Sequence, residues 1–301
     1  MIKVLPNTHD LRQSFTLYAR HFTLTLGTQT KIMGIVNVTP DSFSRDGCLV
    51  RSQSRTTDAA FRRALALVRQ GADFIDIGGE STRPGAGRVT AEEEARRIIP
   101  VIQKLTRVDR VPVSVDTYKP EVAQRALDAG ASVVNNIRGA QAERALLRMI
   151  KRYEAAVVLM HMRGTPRTMQ RHTDYRDIIQ EITASLRKSV EICLEIGIKS
   201  DKIIVDPGIG FGKTAEQNLT LLKGLPEFRD LSLPILIGTS RKSFIGKALN
   251  RDVQQRAWGT AATVTASIIH GAHIVRVHDV KAMRDVAVMT DAIMNQRFSV
   301  Q

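Results

Sequence analysis

Apolar residues in this chain come in short runs, and polar chemistry gathers where those runs stop. Eight such runs, KIMGIVN, FIDIG, VPVSVD, SVVNN, AVVLM, KIIVD, PILIG and HIVRV, are rich in Val and Ile, and most run straight into a knot of Asn, Asp, Ser, Arg or His. Between them lie longer stretches with helical spacing, as at Ala60, Leu65, Leu67 and Val68. Short buried strands alternating with helices indicate βαβ units in a parallel sheet. Reactive residues at the C-terminal ends of eight strands predict an α/β fold, a single (β/α)8 barrel with one site on one face.

The pattern predicts a small β-hairpin over residues 22–33, turning near Gly27 and plugging the N-terminal mouth. The first barrel strand then runs to Asn37, with a helix over 54–70, a strand over 74–78 and a helix over 90–106. That helix opens with TAEEE, an N-cap followed by acids suited to a helix dipole. Later strands cover 113–116, 132–136 and 156–161, and three more end at Asp206, Gly238 and His278. Pro120 starts one helix, Gly130 ends it, and Gly197 closes a long one over 174–196. The last helix runs to about residue 295, for eight strands and eight helices in strict alternation. Residues 1–21 read as an N-terminal extension and 22–297 as the barrel domain.

At 301 residues, 43% of them hydrophobic, the chain can bury a large core unaided. Cys48 and Cys193 lack metal-ligand spacing and read as reduced thiols. No run approaches the ~20 apolar residues needed to span a bilayer. No compact apolar leader is seen either, so the expected location is cytoplasmic, without membrane association. The net charge of +14 is spread over many helices, and only four Tyr and one Trp offer stacking surfaces. A solvated basic exterior fits this better than a nucleic-acid groove, so no nucleic-acid partner is expected.

DPGIGFGKT (206–214) looks like a phosphate loop but has Pro207 where G-x-x-x-x-G-K-T requires glycine. Gly208, Gly210 and Gly212 do not fit the dinucleotide fingerprint either. What remains is a flexible strand-to-helix loop beside Asp206. Asp116, Asn135 and Asp206 place hydrogen-bond acceptors on three tips. Such a set suits a heterocycle with an amino group and ring N–H, whereas a metal would want more carboxylate or His partners. Arg83, Lys242, Arg276 and His278 surround them as cations able to clamp a diphosphate or carboxylate. Ser240-Arg241-Lys242-Ser243 opens a helix after strand seven, beside the usual anion site of such barrels. His161 reads as a packed or loop-ordering residue. No Ser–His–Asp, Cys–His or zinc pattern is legible, so positioning and charge stabilisation should carry the chemistry.

Taken together, MGIVNVTPDSF (33–43), DIGGESTRPGA (76–86), SVDTYKPEV (114–122), LMHMRGTPRTMQ (159–170), DPGIGFGK (206–213), SRKSFIG (240–246) and RVHD (276–279) resemble the dihydropteroate synthase family. The resemblance covers nearly the whole chain. It implies transfer of a 6-hydroxymethyl-dihydropterin unit from its pyrophosphate ester to p-aminobenzoate, assisted by Mg2+, in folate biosynthesis. It further implies that Asp116, Asn135, Asp206 and Lys242 hold the pterin. Arg276 and His278 would hold the pyrophosphate, and Asn37 the metal. Phe43, Thr82, Arg83, Pro84, Phe211, Lys242 and Ser243 would form the aminobenzoate pocket. Lys242, Arg276 and His278 are the residues expected to act in catalysis. Sulfonamide competition and a homodimer through the last helices are family expectations. Two departures stand out: Arg45 and Asp46 in SFSRDG, where the family has Asp followed by paired glycines, and Asn136 where it has Asp. A weak or silent pterin-binding paralogue, a methyltetrahydrofolate-dependent methyltransferase and an anion- or RNA-binding barrel are the alternatives.

Overall fold

The computed structural model describes residues 12–39, 53–81, 87, 89–108, 111–139, 144–165 and 167–296. Its first elements are antiparallel strands β1 (Phe15–Ala19) and β2 (Phe22–Leu26). Eight parallel strands follow: β3 (Lys31–Asn37), β4 (Phe74–Gly78), β5 (Val113–Asp116), β6 (Val133–Asn136), β7 (Ala156–Met160), β8 (Ile203–Asp206), β9 (Leu236–Ile237) and β10 (Ile274–Val277). They are ordered β8-β7-β6-β5-β4-β3-β10-β9, and a parallel bridge between Val205 and Ile235 draws the two edges together. There Val205 N–H donates to the Pro234 carbonyl at 3.0 Å, so the sheet closes into the expected barrel.

The helices among the described residues are α1 (Gln53–Arg69), α2 (Ala91–Val108), α3 (Pro120–Asp128), α4 (Arg144–Arg152), α5 (Ile178–Ile196), α6 (Ala215–Lys223), α7 (Ser243–Leu249), α8 (Ala257–Ile269) and α9 (Val280–Asn295). Strict alternation therefore fails once, because α7 and α8 both lie between β9 and β10. Asn250, in the left-handed conformation at φ 50°, ends α7 before a second helix begins. Terminator residues behave as their chemistry requires elsewhere. Thr90 Oγ1 accepts from Glu93 N–H at 3.2 Å at the start of α2, and Gly197 closes α5 at φ 91°.

The hairpin lies earlier than its sequence suggested. Its turn is at Arg20-His21, with Arg20 at φ 57°, rather than at Gly27. Arg20 carries no glycine-like signature; its strained backbone is held by Nη1 donating to the carbonyls of Leu127 and Ala131 at 2.8 and 3.0 Å. Gly27, at φ +107°, is the bend into the barrel, where a Cβ would lie 2.5 Å from the Gln13 carbonyl.

Period-two alternation divides the strand residues between two cores. Ile32, Val36, Ile75, Ile77, Val113, Val115, Val157, Leu159, Val275 and Val277 face outward and pack with the helices. Met33, Phe74, Val133, Ala156, Val158, Ile204, Leu236 and Ile274 face inward and pack against Leu17, Ala19 and Leu26 of the hairpin. Two residues farther along, the same inward parity gives Asp76 after Phe74, Asn135 after Val133, Asp206 after Ile204 and Arg276 after Ile274. A fatty floor thus carries a charged storey, and the next storey opens to the C-terminal face.

Candidate functional site

Three of these inward residues, Asp76, Asn135 and Arg276, form one network with Asp116 at the end of β5. Arg276 donates through Nε to Asp76 Oδ2 at 2.6 Å and through Nη2 to Asp116 Oδ2 at 2.7 Å. Asp76 Oδ2 also accepts from Asn135 Nδ2 at 3.2 Å. β5 and β6 pair Asp116 directly with Asn135, which brings the two acceptors side by side. Burial pushes the Asp116 carboxyl up to about 7, against the pull of Arg276, with Asp76 as a further charge raising it. Burial also opposes charge on Arg276, but Asp76 and Asp116 outweigh it, and the guanidinium is held cationic more firmly than usual.

Asp206 closes the other side of the mouth. Its Oδ1 accepts from Gly208 N–H at 2.7 Å, while burial raises its carboxyl above the ordinary range. The turn that follows needs glycine: at Gly208, φ +74°, a Cβ would sit 2.0 Å from the His161 carbonyl. At Gly210 a Cβ would strike Lys242 Cδ at 2.7 Å, so the missing side chain is what admits the lysine. Lys242 Nζ donates to the Ile209 carbonyl at 2.7 Å and lies 3.9 Å from the centre of the Phe211 ring. Desolvation brings its ammonium down to about 7, while Asp206 and Asp116 act in the opposite direction. Asp116, Asp206, Lys242 and Arg276 thus share one mouth and one field.

Beneath the glycine loop, Lys213 Nζ donates to the Phe211 carbonyl at 2.9 Å and lies 3.2 Å from His161 Nδ1. His161 is buried and packed, as its sequence context suggested. Ile137, Met160, Met162 and Met169, with Tyr118 and Phe211 against them, give the mouth an apolar shelf.

On the β9–β10 side, the Ser240 hydroxyl contacts His278 Nδ1 at 3.0 Å and accepts its backbone N–H at 3.2 Å. Arg241, at φ 59°, forms a two-pronged pair with Asp279, Nη2 to Oδ1 at 2.6 Å and Nε to Oδ2 at 3.1 Å. That pair ties the loop bearing Lys242 to the loop bearing His278. Ser243 is exposed at the first position of α7. Asn37 ends β3 beside Gly78. Asn136 is fully buried: its Oδ1 accepts from Arg138 N–H at 3.0 Å and its Nδ2 donates to the Gly139 carbonyl at 2.6 Å. An ionised carboxylate could not make that second bond. Phe43, Thr82, Arg83 and Pro84, with Arg45, Asp46 and Cys48, lie outside the described residues.

Sequence reasoning passed over three features. Asp76 stands inside the apolar run FIDIG, as Arg276 does inside HIVRV, and could have been found by that anomaly. Lys119 reaches Glu80 Oε2 at 2.8 Å, Glu94 Oε2 at 2.5 Å and the Val89 carbonyl at 2.7 Å, while Glu80 Oε1 accepts Val89 N–H at 3.0 Å. This buried knot joins β4 and α2 to the start of α3, and pattern alone could not pair its members. Arg241–Asp279 spans 38 positions of sequence and was equally invisible.

Among the described residues no three His, Cys, Asp or Glu side chains gather as a metal cage. Asn37 would give a hard cation one neutral oxygen, the donor set of an ion that keeps its waters and leans on substrate phosphates. That is compatible with Mg2+.

Comparison with known proteins agrees with this geometry. Residues 33–278 match the model of the pterin binding enzyme family. A dihydropteroate synthase of Synechocystis is 48% identical over 89% of this chain and 91% of its own length. A Clostridium difficile dihydropteroate synthase solved in the presence of pteroic acid superposes with a TM-score of 0.82 at 46% identity, covering 89% of this chain and 98% of that one. A Yersinia pestis dihydropteroate synthase in complex with a sulfonamide drug gives 0.86 at 40% identity, over 93% of this chain and 100% of that one.

Proposed function

This chain belongs to the pterin binding enzyme family, and from its mouth we propose how it works as a dihydropteroate synthase. It condenses 6-hydroxymethyl-7,8-dihydropterin pyrophosphate with p-aminobenzoate to give 7,8-dihydropteroate and pyrophosphate. The observation that carries this is the meeting of Asp116, Asn135 and Asp206 with Lys242 and Arg276 in a single recess.

A pterin edge brings an amino group and ring N–H to a recess lined by acceptors. Burial drives Asp116 and Asp206 toward neutrality, so a ligand that donates to them pulls both back toward the carboxylate. The ring lies along the Met160–Met162–Phe211 shelf, and Lys242, half committed to Ile209 O and the Phe211 face, offers its remaining protons to the ring. Arg276 and His278 take the diphosphate. Magnesium, when bound at Asn37, neutralises charge on that leaving group.

The aminobenzoate nitrogen donates its lone pair to the pterin CH2 carbon as the C–O bond breaks. The bonding electrons leave on the diphosphate oxygen, and the added amine sheds its proton to solvent. Aniline nitrogens are unprotonated at neutral pH, so no strong base is required. Fixed cations and oriented donors lower the barrier by stabilising charge where it develops. Ser243 and Phe211 take the aminobenzoate side, which sulfonamides would occupy, and the family resemblance assigns Phe43, Thr82, Arg83 and Pro84, outside the described residues, to the same pocket.

The proposed place of work is the cytoplasm, on small molecules; separately, among the described residues no helix is long and apolar enough to cross a membrane. A homodimer is supported by apolar side chains left outside on α8 and α9, with Trp258 at 85% exposure, Met289 at 58% and Ile293 at 62%.

The deciding experiment mixes pure protein with the pterin pyrophosphate, p-aminobenzoate and Mg2+ and measures pyrophosphate release. Release that depends on both substrates is expected. No release with pterin still bound would mean a silent paralogue, and no pterin binding would overturn the reading. Asp206→Asn should weaken pterin binding about tenfold, whereas Ser243→Ala should act on the aminobenzoate KM.

A further inference from the structure

Asp76 is fully buried, one storey below the open rim, and its Oδ2 serves two neighbours with different tasks. Arg276 Nε reaches it at 2.6 Å and Asn135 Nδ2 at 3.2 Å. A carboxylate oxygen only accepts, so the amide group of Asn135 that faces Asp76 must be the NH2. The carbonyl of Asn135 is thereby left to address a ligand, and the tip reads as an acceptor rather than a donor. On the other side, Asp76 and Asp116 grip Arg276 from two directions, which fixes the plane of the guanidinium. The second oxygen, Oδ1, is buried without a partner among the described residues, an arrangement a purely structural carboxylate tends to avoid.

We infer that Asp76 is a positioning residue that anchors both halves of the pterin pyrophosphate site at once, setting Asn135 as an acceptor for the ring and aiming Arg276 at the tail. This rests on the proposed reading of the mouth as a pterin pyrophosphate site. Asp76 touches neither substrate half; it acts through Asn135 on one and through Arg276 on the other.

Two probes separate the halves: 6-hydroxymethylpterin for the ring and inorganic pyrophosphate with Mg2+ for the tail. Wild-type protein binding both is the control on the underlying reading, and its failure there would end that reading before any variant is compared. With the control in hand, Asp76→Asn should weaken both probes about tenfold, because Asn135 and Arg276 each lose the charged acceptor that positions them. The KM for p-aminobenzoate should stay within about twofold, since the hydrogen-bond partners of Asp76 among the described residues are Asn135 and Arg276, neither of them on the aminobenzoate side. Asn135→Ser should weaken the ring probe alone. General damage would instead disturb all three ligands, and Asp76→Asn that leaves either probe at wild-type affinity overturns the inference. If Asp76→Asn does not fold, Asn135→Asp carries the test. It keeps an acceptor toward the ligand but sets a second carboxylate against Asp76 Oδ2. Ring binding should then fall about tenfold with folding intact, and normal ring binding would overturn the inference.

Discussion

The two mouths of this barrel are built from the same strands and solve opposite problems. At the N-terminal end, Met33, Phe74, Ile204 and Ile274 meet the hairpin residues Leu17, Ala19 and Leu26 in a dry floor. Polar groups there are mostly matched, with Asp201 Oδ1 an exception among the described residues. Arg12 donates to the Gly27 carbonyl, Thr30 Oγ1 and Asp291 Oδ1, each at 2.7 Å. At the C-terminal end the matching is incomplete: Asp76 Oδ1 has no partner among the described residues, and Asp116, Asp206 and Lys242 are pushed toward neutrality. One mouth is optimised for the fold alone, while the other holds groups that a ligand would satisfy.

The largest effect should come from breaking the floor. Phe74→Ala removes a fully buried ring and should destabilise the protein by about 3–5 kcal/mol in denaturant melts. A buried ion knot should come next. Lys119→Met strands Glu94, whose side chain is only 1% exposed, and should cost about 3 kcal/mol, more than any exposed pair in the molecule.

Substitution within the mouth should behave differently. Lys242→Met should lower turnover about a hundredfold or more, yet leave the melting temperature at pH 7 unchanged or raised. The pH dependence gives the reason. Asp116 is raised from 3.8 to about 7, so across that window the folded state holds more protons and stability falls as pH rises. Lys242 and Lys213 are lowered from 10.5 to about 7, so the unfolded state holds more protons above neutrality and stability climbs with pH. These groups contribute least near pH 7. Melting curves across pH should show that dip in wild type and a shallower one in Lys242→Met; an identical dip in both would remove the contrast between the mouths.

The smallest stability change is expected at the rim. Asp279→Ala breaks a partly exposed pair with Arg241 and should cost under about 1 kcal/mol. Turnover should nonetheless fall several-fold, because Lys242 and His278 lose their common tie. Equal loss in Asp279→Ala and in a remote exposed pair such as Lys247–Glu216 would reduce the Arg241–Asp279 tie to an ordinary surface contact.

Legibility followed range. Strands ending at Asn37, Gly78, Asp116, Asn136 and Asp206 could be read because alternation and flanking polar residues are local signals. The hairpin was misplaced because glycine at 27 looks like a turn, whereas the turn at Arg20 depends on carbonyls of Leu127 and Ala131 more than a hundred positions away. Site residues such as Asp116, Asp206, Lys242 and Arg276 were legible as polar interruptions at strand ends. Asp76 shows the same interruption, but its role was not legible, since that lies in two partners, one 59 and the other 200 positions distant.

By itself the order of residues determined the strands, the side each residue faces and the end of the barrel where chemistry collects. Steric alternation and chain direction act within a few residues, so they are written locally. Which carboxylate grips which guanidinium, and therefore which groups remain to meet a ligand, was decided only by barrel closure. Closure sets the register between strands remote in sequence, and hydrogen bonds form at distances that no local pattern encodes.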